Sequence, residues 1–269
     1  MRKLKYKFIH DSDNILSLSS HYPPLAPIAK KLRSAYKLYI KQKGHNHITP
    51  IAVTTTEKEC LEKAYNNSPS EAGLKWIREL YLHGMISCPM CGGSGARTLD
   101  HYLPQAHFPE FSVLSLNLLP SCGICNGKRN ACNSPDTEFK TLHLYFDKNI
   151  LTKLTATTKI QITASTPSFT PTYNRDDFTD SEQARIDEHF YRSIDETHYF
   201  NHNCGYLDAI KARVSRCETA KEARAVIEIE KGIYEVTHST NSWGHMMCSG
   251  LLKLPDNELY YLIINENPY

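Results

Sequence analysis

The chain has 269 residues, 41% of them apolar and 22% charged, with a formal net charge of +2. That is enough to bury one large core or two small ones, and the balance excludes a disordered chain, a collagen-like chain and a histone-like polycation. No run is long enough to span a bilayer. The charged start Met1-Arg2-Lys3-Leu4-Lys5-Tyr6-Lys7 lacks an apolar stretch or small-residue cleavage site behind it, so a cytoplasmic protein without membrane attachment is expected.

Residues 1–84 read as a helical region. Pro23, Pro24 and Pro27 suit a helix entrance, and Leu32, Ala35, Tyr36, Leu38, Tyr39 and Ile40 then alternate with Lys and Arg up to Gly44. Residues 1–50 carry ten Lys or Arg against Asp11 and Asp13 alone. Such a basic arm fits attraction to backbone phosphates, and it equally fits a solvated helix face. Residues 56–82 read as helix again, interrupted at Asn66-Asn67-Ser68-Pro69, with Trp76 as a core residue. His45-Asn46-His47 has no partner nearby in sequence and reads as loop.

A cysteine-bounded module follows over 85–150. Cys88-Pro89-Met90-Cys91 and Cys122-Gly123-Ile124-Cys125 share a two-residue gap and are thirty residues apart (92–121). Two thiolates so spaced reach one tetrahedral metal, and four thiolates leave it no open position, so a structural Zn²⁺ is expected. The chain carries nine cysteines. In a cytoplasmic setting they stay reduced, and Cys60, Cys132, Cys204, Cys217 and Cys248 read as small buried hydrophobes, Cys132 being a weak substitute ligand.

Past the module, Leu142, Leu144 and Phe146 and the stretch Thr152–Thr163 read as strand, and residues 166–172 as a Pro/Thr connector, so 151–176 forms a strand and connector region. His143 reads as part of a packing strand. Thr179-Asp180-Ser181-Glu182 marks a helix start, and 177–269 continues in helical patterns without a motif that carries chemistry.

Phosphodiester hydrolysis needs an activated water, neutralisation of charge on the phosphorane and help for the leaving oxygen. Between the cysteine pairs, Leu99-Asp100-His101 sets a carboxylate beside an imidazole at a possible strand end. Asn117 precedes the apolar Leu118-Leu119-Pro120, and Asn126 follows the last cysteine with Lys128 and Arg129 behind it. A strand, a loop, a second strand and a helix would bring Asp100, His101, Asn117 and Asn126 together. Lys128 and Arg129 would grip phosphate at the helix start, with a solvated helix end as the alternative. His107 reads as a surface residue of the loop.

The stretch Cys88–Asn130 resembles the HNH endonuclease motif, a ββα-metal nuclease site with flanking four-cysteine zinc knuckles. The resemblance implies an α+β chain in which this small module is flanked by mainly helical segments. It implies His101 as general base, Asp100 and Asn126 as ligands of a catalytic Mg²⁺ or Mn²⁺, and Asn117 as the residue that orients loop and base. Asparagine in the last slot departs from the three-letter name, but an amide oxygen suits a hard cation. Leu99–Pro104, Phe108–Ser112 and Asn117–Cys122 are further similar to HNH proteins of bacterial anti-phage loci, including nuclease subunits of Septu-type and retron-associated systems. That similarity implies an effector nuclease acting on nucleic acid, DNA before RNA, in a hetero-oligomer with an ABC-type ATPase. The chain itself has no Gly-rich phosphate loop with Lys-Ser/Thr. A non-catalytic zinc module that binds nucleic acid or protein, and a stand-alone HNH nuclease unrelated to defence, stay open as alternatives.

Overall fold

The computed structural model describes residues 1–5, 9–81, 84–95, 97–129, 132–135, 141–162 and 167–264. Lys7 of the basic arm, Leu82, Asn130 at the end of the nuclease-like stretch, Thr163 and Thr166 lie outside the described residues. The protein is mixed α and β and mainly helical. In chain order it runs α1 (Asp11–His21), α2 (Ala29–Lys41), α3 (Thr55–Asn67), α4 (Lys75–Tyr81), β1 (Arg97–His101), β2 (Leu118–Cys122), α5 (Gly123–Lys128) and α6 (Lys148–Lys153). Then follow β3 (Ala156–Ile162), β4 (Pro167–Tyr173), α7 (Asp180–Ser193), α8 (Glu196–Val214), α9 (Ala220–Thr237), α10 (Trp243–Leu251) and α11 (Asp256–Ile263). The strands form two antiparallel ribbons, β1 with β2 and β3 with β4. Among the described residues, no helix is long and apolar enough to cross a membrane.

Local signals set several helix starts. Thr54 with Glu57, Thr179 with Glu182, and Thr219 with Glu222 each close a reciprocal capping box, satisfying two backbone N–H groups that a helix N-terminus leaves orphaned. The helical region 56–82 breaks where its sequence breaks: Ser68 adopts a left-handed conformation with φ 46°, ending α3.

The structure departs from the sequence reading at several places; Thr152 and Lys153, read as the start of a strand, close α6, and β3 begins at Ala156. Residues Pro23–Ile28 form a 3-10 turn, and α2 begins only at Ala29, because Pro27 has no N–H for an α-helical ladder. The strand expected around Leu142–Phe146 is a turn: Asp147 Oδ2 accepts the His143 N–H at 2.7 Å and His143 Nδ1 accepts the Tyr145 N–H at 3.2 Å, which diverts the backbone from any ladder. Residues 167–172 are not a connector but most of β4. Its prolines, Pro167 and Pro171, share one parity, and a two-stranded ribbon leaves every second backbone position unpaired, so the missing N–H groups cost no ladder bond there. Phe169 and Tyr173 are buried at the same parity.

The buried apolar residues form one cluster that runs from Met1 to Ile263. α10, buried nearly throughout, packs on β3, α8 and α9. The approach to β3 is close: a Cβ on Gly250 would lie 2.2 Å from the Thr158 carbonyl oxygen. α2 buries the stripe Leu32, Ala35, Tyr36 and Tyr39 and turns its charged side to solvent.

Candidate active site and metal centre

The two cysteine pairs converge. All four Sγ atoms lie within 4.8 Å of one another, with Cys88–Cys125 at 3.9 Å and Cys91–Cys122 at 4.0 Å. Zn–S bonds of about 2.3 Å at tetrahedral angles require sulfurs about 3.8 Å apart, so the four buried thiols are spaced to hold a metal ion such as zinc. Three backbone N–H groups point at these sulfurs: Gly93 on Cys91 (3.3 Å), Cys122 on Cys88 (3.3 Å) and Cys125 on Cys122 (3.4 Å). Such donors stabilise thiolate character. The first knuckle turns back on itself through Gly92, whose φ is +84° and whose Cβ would meet the Asn241 carbonyl oxygen at 2.0 Å. Trp243 closes over it, donating from Nε1 to the Cys91 carbonyl at 2.8 Å. His189 sits against the same turn, its Nε2 2.9 Å from the Met90 carbonyl, and burial holds its pKa at about 3. Cys132 stays outside the cluster, and all nine cysteines are free thiols.

β1 pairs with β2 in the register His101↔Leu118 to Arg97↔Cys122, and Cys122 then caps the start of α5. Asn126 therefore lies in the second turn of α5, and Lys128 and Arg129, expected at the helix start, stand at its C-terminal end. The long connection from Tyr102 to Asn117 is organised by Asn117 itself, whose side chain is fully buried. Its Oδ1 accepts the Leu103 N–H (2.8 Å) and the Tyr39 hydroxyl (3.0 Å), while Nδ2 donates to the carbonyls of Leu103 and Phe111 (both 3.1 Å). Every polar valence of the amide is used, so Asn117 staples the loop.

The loop so held presents the Ser112 carbonyl to His101 Nε2 at 3.0 Å. A carbonyl only accepts, so Nε2 carries the proton and Nδ1 keeps its lone pair. Among the described residues Nδ1 has no hydrogen-bond partner. Burial lowers the pKa of His101, against the opposing pull of the Ser112 carbonyl and Asp100, so the ring is neutral at pH 7. The Tyr65 ring from α3 stands edge-on 4.5 Å from it.

Asp100, one residue earlier, faces α5. Its Oδ2 accepts a 2.7 Å hydrogen bond from Arg129 Nε in a buried ion pair, and Oδ1 is without a partner among the described residues. Burial raises the Asp100 pKa while Arg129 pulls it down. Asn126 shares the α5 face with Arg129 and reaches β1 as well, its Nδ2 lying 3.5 Å from the Leu99 carbonyl, with Oδ1 left open among the described residues. Among the described residues, three acceptors near the end of β1 thus have no donor: His101 Nδ1, Asp100 Oδ1 and, from α5, Asn126 Oδ1.

Of the two cations expected to grip phosphate, Arg129 is turned inward and Lys128 is half-buried. Arg129 is 2% exposed and is spent on Asp100 and on the Thr141 hydroxyl at 3.0 Å. Lys128 Nζ donates to the Ile194 carbonyl at 2.7 Å, at the junction of α7 and α8. Both fasten α5, which packs on β1 and α7, to the rest of the fold. His107 is exposed, as expected for a surface residue. His143 is fully buried: with Nδ1 accepting from Tyr145, its Nε2–H faces the Tyr39 hydroxyl at 3.2 Å. Tyr39, Tyr65, Ser112 and Thr141, which shape the site, carry no sequence signal for it, since they join it only through tertiary contacts.

No family model matches the chain, and no solved structure matches it. Among curated proteins it is similar to Protein ea31 of Escherichia phage lambda, 34% identical over 141 residues. The match covers 49% of this chain and 47% of that protein, so the chain spans about half the length of the curated relative it matches.

Proposed function

We propose that the chain is a metal-dependent HNH-type endonuclease that hydrolyses phosphodiester bonds of nucleic acid, DNA before RNA. The observation that carries this reading is the state of His101, a neutral imidazole with Nε2–H fixed on Ser112 and Nδ1 open. A base is useful near neutral pH only if it is unprotonated and aimed, and burial and the carbonyl anchor provide these two conditions. Asp100 Oδ1 and Asn126 Oδ1 are hard oxygen donors of the kind that Mg²⁺ or Mn²⁺ takes, and Arg129 on Oδ2 restricts Asp100 to one ligand atom. A cation held there would neutralise charge on the phosphorane.

His101 Nδ1 accepts a proton from a water whose oxygen bonds to phosphorus. The bond from phosphorus to the 3′ oxygen breaks, and solvent supplies that oxygen with its proton. Asp100 and His101 are neighbours on a strand and turn to different partners, Arg129 of α5 and Ser112 of the loop. In-line displacement asks for charge neutralisation and base at separate positions about the phosphorus, which suits this division. Asn117 holds the loop that holds the base. The cysteine cluster pins the start of α5 and has no reactive position.

The test is cleavage of plasmid DNA, single-stranded DNA and RNA by the full chain and by His101→Ala in Mg²⁺ or Mn²⁺. Loss of at least about 10²-fold in rate with unchanged zinc content supports the assignment. Undiminished cutting by the variant refutes it.

A further inference from the structure

Arg129 is buried on Asp100 and the half-buried Lys128 is held on the Ile194 carbonyl, which leaves the exposed lysines of α2 to meet a polyanion. α2 carries five basic residues and no acidic one. Opposite its buried stripe, Lys30, Ser34, Lys37 and Lys41 follow at i, i+4, i+7 and i+11, one exposed helix face. None of these three lysines forms an ion pair or hydrogen bond with the described residues. On the neighbouring helix, Asp11 accepts from the Ser115 N–H at 3.1 Å and hydroxyl at 2.6 Å and Asp13 lies 3.4 Å from His10 Nδ1, and both carboxylates line a second groove with Lys37, so of the three lysines Lys37 has acidic neighbours. Beside this face runs a groove of about 360 Å³ with a rim of Lys30 and Lys31 and a floor that includes Leu38, Ile48 and Ile51.

Both sides of this surface are fastened to the loop that anchors His101. From the buried side of α2, the Tyr39 hydroxyl donates to Asn117. From the groove, the Ile51 N–H is held at 3.0 Å by Glu110, in the 3-10 turn Pro109–Phe111 just before Ser112. We propose that the lysine face of α2 seats the phosphate backbone of the nucleic acid, Lys30, Lys37 and Lys41 each neutralising one phosphate. This deepens the nuclease reading and rests on it for the purpose of the contact. At 1.5 Å per residue the face spans about 16 Å, over which one strand of a duplex offers about five phosphates. The chemistry is charge on charge, so the surface reads no sequence.

The experiment is binding of the zinc-loaded full chain to a fluorescent 25-base-pair duplex without added Mg²⁺ or Mn²⁺, from 50 to 200 mM salt, alongside K30Q/K37Q/K41Q. Removing three phosphate contacts lowers the slope of log affinity against log salt by about 2.7, so the wild type loses about 40-fold more affinity over that range than the variant. An unchanged slope overturns the proposal. So does binding to phosphatidylserine vesicles that the triple substitution abolishes while duplex affinity is untouched. The two readings fail separately: a duplex bound with the expected slope but never cut in Mg²⁺ or Mn²⁺ removes the nuclease and keeps the surface, whereas cutting with an unchanged slope removes the surface and keeps the nuclease.

Discussion

Replacing Asn117 with alanine tests the architecture of the site most directly. The side chain is fully buried and makes four hydrogen bonds. Two of its partners have fallbacks: the Tyr39 hydroxyl keeps His143 and Leu116, and the Phe111 carbonyl keeps the Leu114 N–H at 3.2 Å. The N–H and carbonyl of Leu103 lose the side-chain partner that pairs them both. Two stranded buried backbone groups at about 1–3 kcal/mol each, beside two weakened bonds, give a loss of about 3–5 kcal/mol. Against a typical total of about 5–15 kcal/mol that is severe. Asn117→Asp should be no better, because a carboxylate oxygen would replace Nδ2 against two carbonyls. The assay is urea unfolding of both variants, with zinc content and cleavage measured in parallel. The expected result is a strongly lowered midpoint, with cleavage reduced even in the protein that stays folded, since Ser112 no longer holds His101 firmly. A loss below about 1 kcal/mol would refute the claim that Asn117 organises the loop.

Arg129→Met should cost about 3–5 kcal/mol, because it strands the Asp100 carboxylate in a buried site, whereas Lys128→Met should cost about 1 kcal/mol; equal costs in denaturant titrations would contradict the inward placement of Arg129. Cys91→Ser and Cys122→Ser should each abolish stoichiometric zinc by elemental analysis and lower the melting midpoint by about 10 °C or more. Full zinc retention in either would disqualify the four-sulfur site. The cleavage rate should stay level above the ordinary histidine pKa and fall as pH drops through the lowered value of His101, because only the neutral ring accepts a proton. A rate that holds or rises on acidification through that range would remove His101 as the base.

Much of the module was legible because its signals are local. The paired Cys-x-x-Cys spacing demands a common centre, and the four sulfurs are together. The order of Asp100, His101, Asn117 and Asn126 anticipates two strands and a helix, and β1, β2 and α5 follow in that order. Threonine three residues before glutamate marked the start of α7, since a capping box is contained within four residues. β4 was not legible, because its pairing with β3 compensates for prolines that the sequence alone presents as breakers.

The sequence by itself determined which groups are present and which lie close along the chain: four thiols able to share a metal, an imidazole beside a carboxylate, and a helix that is basic on one side. Tertiary structure decided where each group points. Arg129 reads as a phosphate ligand until α5 is laid on β1, where it pairs with Asp100 twenty-nine residues away. Asn117 becomes a loop staple through Tyr39, seventy-eight residues distant. The physical reason is that charge and hydrogen-bonding capacity belong to a residue, whereas direction and desolvation belong to its neighbours, and most of these neighbours are remote in sequence.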